Sequence, residues 1–98
     1  MNDELSAYME EFIGRSVLVV AHSNQTLVGK SGTVVAETKR MINVMGTSRI
    51  SIPKHTGKFK FTMRDGYRIL NGDFILMRPE ERPKNQRRIL KLLRTRGR

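Results

Sequence analysis

Cysteine is absent from the 98 residues, which excludes disulfides, thiolate metal sites and a cysteine nucleophile. No apolar run approaches the roughly 20 residues needed to span a bilayer, and the acidic start NDELSAYMEEF lacks the basic-then-apolar order of a secretory signal. A cytoplasmic chain with no membrane partner is expected. Aromatics are few, two Tyr and four Phe, and acids are scarce, with 9 Asp and Glu against 19 Lys and Arg. A 38% hydrophobic content permits one domain with one modest core and no large buried cleft, so function must reside on the surface.

What the chain has in excess is positive charge, a net +10. Residues 1–11 carry four acids and no base, 12–77 carry ten bases and three acids, and 78–98 carry nine bases and two acids. A field of that sign attracts a polyanion, nucleic acid first, and raises association rates. A surface charged only for solubility would show more balanced signs.

The stretch LVGKSGTVVAET, Leu27 to Thr38, organises the rest. Gly29 and Gly32 precede an alternating strand and suit either a sharp barrel corner or an ordinary loop-to-strand junction. Before it, Leu5, Tyr8, Met9, Phe12 and Ile13 share one face of a short helix over Asp3 to Ile13, ended by Gly14, and RSVLVVAH from Arg15 reads as a buried strand. After it come strands over Lys30 to Thr38, Met41 to Met45 and Arg49 to Pro53. KFKFTM follows, with Phe59, Phe61 and Met63 inward. Asp65-Gly66 signals a hairpin into Tyr67 to Leu70, and Asn71-Gly72 a turn into a last strand, Phe74 to Met77. Short strands at this spacing predict a mainly β fold, an antiparallel sheet that curls into a small barrel. Beyond it, Pro83 opens an amphipathic basic helix or tail, with Ile89, Leu90, Leu92 and Leu93 opposite Arg87, Arg88, Lys91 and Arg94. The expected organisation is a helix at 1–14, a barrel at 15–78 and a basic tail at 79–98, forming a single domain.

No catalytic constellation is legible. His22 follows an apolar strand and reads as a satisfied structural histidine, and His55 lies in a turn. Glu37, Asp65 and Asp73 sit singly, without the clustered carboxylates that two metal ions require. Binding is better supported. Lys30, Lys39, Arg40, Arg49, Lys54, Lys58 and Lys60 recur at turns and outward positions, and Arg78, Arg82, Lys84, Arg87, Arg88 and Lys91 continue through the tail. Such residues supply phosphate contacts. Tyr8, Tyr67 and the phenylalanines fall mostly at inward positions, which disfavours reading single strands on an aromatic platform. Recognition of folded RNA by shape and backbone is expected.

Ile13-Gly14, Leu27-Val28-Gly29, Ser31-Gly32-Thr33-Val34-Val35, Glu37-Thr38, Ile52-Pro53-Lys54, Phe59, Phe61, Gly72-Asp73 and Arg78-Pro79-Glu80-Glu81-Arg82 stand in an order that resembles one family. This is the small Sm-like subunit of archaeal ribonuclease P, protein component 1, homologous to a eukaryotic ribonuclease P and MRP subunit. The chain departs from its pattern at Ala36, where Asp is usual, and at Lys39-Arg40, where a turn Asn is usual. The resemblance implies a non-catalytic RNA-binding subunit of the ribonucleoprotein that removes the 5′ leader of precursor tRNA. It further implies that the RNA is the catalyst and uses Mg2+, with no cofactor bound by this chain. Implied partners are the ribonuclease P RNA, a zinc-ribbon ribonuclease P protein and other ribonuclease P proteins. Leu5, Tyr8, Met9 and the Arg15 to His22 strand, with Val17 and Val19, are the implied zinc-ribbon contact. A ribosomal protein with an SH3-like barrel that binds rRNA is the alternative, and a membrane-surface protein using its basic amphipathic tail is a third reading.

Overall fold

The computed structural model describes residues 3–95. Helix α1, Asp3–Met9, is followed by strands β1 Ser16–Ala21, β2 Ser31–Glu37, β3 Met41–Met45, β4 Arg49–Pro53, β5 Lys58–Met63 and β6 Gly66–Asn71, and helix α2 spans Gln86–Thr95. All pairings are antiparallel, in the order β4-β3-β2-β1-β5-β6. Alternation sets the inner face: Phe59, Phe61 and Met63 of β5 are buried while Lys58 and Thr62 are exposed. Together with Val17, Val34, Ile42, Val44, Ile52 and Leu70 they form one core, each such side chain contributing ~1.5–3 kcal/mol on full burial.

Two glycines shape the sheet by close approach. At Gly32 in β2 a Cβ would collide with the carbonyl of Met45, at the end of β3. Gly72, just past β6, lies so near the Lys54 carbonyl, just past β4, that a Cβ would overlap it, and its N–H donates to Gly57 O at 2.8 Å. The two outer strands therefore meet at this end, and the sheet is rolled around its core.

Three expected elements differ. Helix α1 stops at Met9, four residues before Ile13, because the Tyr8 and Glu10 carbonyls accept from the Arg82 guanidinium at 3.0 and 2.9 Å. Gly14 N–H, free of the helix, donates to Val34 O at 2.8 Å. Phe12 is still buried, but Ile13 is exposed. Residues 74–77 are not a strand. Asn71 Oδ1 caps a 3₁₀ turn over Gly72–Ile75 through Asp73 N–H, and the Ile75 and Met77 carbonyls turn toward the Lys54 ammonium rather than a neighbouring strand.

The tail is not an appendage. After a 3₁₀ turn at Pro83–Asn85, α2 packs on α1 and buries Ile89 and Leu93 in the common core. That burial takes Ile89 and Leu93 out of the apolar face that a membrane-surface reading requires, while Leu90 and Leu92 are half-buried. Residues 96–98, the end of the expected tail, lie outside the described residues.

Candidate nucleic-acid interface

Beneath the exposed bases lie three buried charges, Glu37, Lys54 and Arg82. Glu37 Oε2 accepts from Lys54 Nζ at 2.8 Å and Oε1 from Arg82 Nη2 at 2.9 Å. The other two ammonium donors of Lys54 reach Ile75 O at 2.9 Å and Met77 O at 3.0 Å, so every N–H of a fully buried lysine is satisfied. The Arg82 guanidinium lies 3.6 Å from the Phe12 ring centroid, and Phe12 stacks on Phe61 at 4.5 Å. The strands dictate this geometry. Ile50, Ile52 and Lys54 follow one another at the two-residue period of an inner face. A register shift between Val34 and Ala36, a bulge, reverses the phase of β2 and turns Glu37 inward.

Burial pushes the Lys54 pKa down; the hydrogen bond and charge of Glu37 oppose it, and the positive charge of Arg82 adds to the lowering. Burial likewise lowers the Arg82 pKa, against the pull of Glu37 and Glu11. Neither side chain faces solvent, with exposures of 0% and 2%, so both leave the set of RNA-contacting bases. Leu5, Tyr8, Val17 and Val19, the expected protein contact, are also spent on the chain's own core, and the Tyr8 hydroxyl accepts from Asn71 N–H at 2.8 Å. Only Met9 of that set is half-buried, at the core's margin.

The remaining expected bases fall into groups. Lys39 and Arg40, in the β2–β3 turn, share a shallow cleft with Arg78, over Met41 and Pro79 and beside Glu80. Lys30, Lys58 and Lys60 flank β1: Lys60 pairs with Leu18 and Lys58 with Ala21, and Val19 N–H donates to Lys30 O at 2.9 Å. Arg49, opposite Met45, stands at the other end of β3 from Arg40. Lys84, Arg87, Arg88 and Lys91 are exposed along the tail segment and α2. All of these are exposed except Lys60, which is half-buried with its ammonium 4.6 Å from the Tyr67 ring centroid.

Tyr67 corrects an expectation. It is 64% exposed, because the hairpin register pairs it with Thr62, the outward position between Phe61 and Met63. The signal was available by counting back across the Arg64-Asp65 turn. The histidines offer no acid–base pair. Buried His22 donates from Nε2 to Pro53 O at 2.9 Å and accepts at Nδ1 from Asn24 N–H at 3.0 Å, the satisfied structural role expected. His55 is exposed and bonded through Nδ1 to Asp73 at 2.7 Å. Among the described residues no group of three or more His, Asp or Glu is placed to hold a metal ion, and no helix is long and apolar enough to cross a membrane.

The family model for ribonuclease P/MRP subunit p29 matches residues 6–85. The chain belongs to this family. Ribonuclease P protein component 1 of Thermoplasma acidophilum is 41% identical over 88 residues, covering 89% of this chain and 97% of the relative. The Thermoplasma volcanium protein of the same name is 42% identical over 87 residues, covering 88% and 94%. The solved structure of Mth11, a homologue of human RNase P protein Rpp29, superposes with a TM-score of 0.56 at 32% identity, covering 74% of this chain and 96% of that one. The p29 match takes in the buried triad, the Lys39–Arg40–Arg78 cleft and the β1 lysines, and ends where α2 begins.

Proposed function

We propose that this p29-family chain is a non-catalytic subunit of ribonuclease P that binds its RNA and helps assemble the ribonucleoprotein that removes the 5′ leader of precursor tRNA. The match to the p29 family over residues 6–85 carries this reading. Ten of the thirteen expected bases are exposed and support it, in the cleft of the β2–β3 turn and Arg78, beside β1, at Arg49 and along Lys84 to Lys91, where phosphate neutralisation is the chemistry lysine and arginine supply. RNA, with Mg2+, performs the cleavage, and the chain binds no cofactor. The zinc-ribbon subunit is the protein partner. It meets the half-buried flank of α1 around Met9, because Leu5, Tyr8, Val17 and Val19 face inward. The complex works in the cytoplasm.

The test is reconstitution of precursor-tRNA cleavage from RNA and protein subunits at limiting Mg2+, with and without this chain. A clear gain in rate on its addition is expected. An unchanged rate counts against the role.

A further inference from the structure

On the outer face of the sheet, Tyr67 stands beside Ser16, Ser31, Thr33, Thr62 and Lys60 in a shallow groove. Register explains the cluster. Tyr67 is opposite Thr62 on β5, Lys60 is opposite Leu18 on β1, and Ser16 and Leu18 are opposite Thr33 and Ser31 on β2. The groove thus crosses four strands at outward positions. It carries hydroxyls, one ammonium and one exposed ring, and no carboxylate lines it.

We propose that this groove is a nucleotide subsite: an unpaired RNA base stacks on Tyr67, its phosphate meets Lys60, and the serine and threonine hydroxyls face the ribose. The proposal rests on the RNA-binding reading above and deepens it, since it adds a base contact to a surface otherwise reading backbone alone. An exposed ring on a sheet is the surface on which single-stranded bases stack, and any base has the π-face to do so. The Lys60 ammonium lies over the Tyr67 ring, 4.6 Å from its centroid, so a base stacking on that face moves it aside, within reach of the phosphate beside the base. Neutral hydroxyls that both donate and accept suit the 2′-OH that separates RNA from DNA. A groove of one cation and no anion favours an anionic ligand such as a nucleotide over a basic or a purely apolar protein segment.

The chain reports on itself. It has two tyrosines and no tryptophan, and Tyr8 is fully buried, so ligand-dependent quenching of tyrosine fluorescence reads Tyr67. Titration of the full chain with hexaadenylate RNA should quench it, more strongly than the deoxy hexamer. By anisotropy with labelled hexaadenylate, Tyr67→Ala should lose roughly tenfold or more in affinity, while Tyr67→Phe, which keeps the ring, stays within about twofold. Absent quenching, or Tyr67→Ala binding as well as the native chain, overturns the subsite. Salt-dependent binding of the folded ribonuclease P RNA would then leave the broader RNA reading standing. Failure of both RNAs to bind defeats the two together. Shielding of Tyr67 from acrylamide by the zinc-ribbon subunit, and not by RNA, also overturns the subsite and makes the groove a protein contact.

Discussion

Glu37 balances two cations in a place water does not reach. Removing one member of a buried, hydrogen-bonded ion group leaves charge unanswered at low dielectric, which costs far more than a surface pair contributes. Glu37→Gln should therefore lower unfolding free energy by about 3–5 kcal/mol, read as a drop in urea midpoint at unchanged slope. The same centre gives a pH signature. Lys54 has a folded-state pKa below the ordinary 10.5, so the native protein sheds this proton before the unfolded chain does. Stability from this group is flat below the lowered pKa, rises with pH from there to about 10.5, and is flat again above. The difference in urea midpoint between the native chain and Lys54→Met should narrow or widen with pH only in that interval; a constant difference from neutral pH to pH 10.5 refutes the assignment. Lys54 was legible as a base but not as a buried one, although Ile50 and Ile52 mark its face. Glu37 was hidden by the bulge, because a one-residue phase change cannot be counted from apolar and polar letters that are themselves mixed in Val34, Val35 and Ala36.

The two helices form a pair that neither could sustain alone, at seven and ten residues, since helices this short are marginal in water without tertiary packing. Ending the chain after Asn85 removes the buried Ile89 and Leu93 and should cost about 3–6 kcal/mol through the apolar burial they supply. Hydrogen exchange should then locate the loosening in α1 rather than in β2 or β3. Uniform loss of protection would contradict the pairing. The strands were legible because each carries its own alternation, as Phe59, Phe61 and Met63 do. Residues 74–77 carry the same apolar signal and yet form no strand: the deciding partner, the Lys54 ammonium, lies some twenty positions back in sequence.

Across the whole molecule, positive charge is distributed over the β2–β3 turn, the β1 flanks and α2. If five to seven phosphates are neutralised, log affinity for folded RNA should fall against log salt with a slope of about −3.5 to −6. Alanine at Lys39, Arg40 and Arg78 should flatten that slope by roughly two to three units, at ~0.7–0.9 for each phosphate no longer neutralised, without shifting the urea midpoint, because these side chains are exposed. A flat titration for the native chain would remove phosphate contact as its mode of binding. Charge sign and the mainly β, antiparallel class were readable from composition and turn spacing. Which bases face outward depended on the fold.

Arg82 grips carbonyls at positions 8 and 10, more than seventy residues earlier. A ribosome must therefore extend the chain past Arg82 before α1 meets this anchor, so the helix waits for it while all six strands are being made.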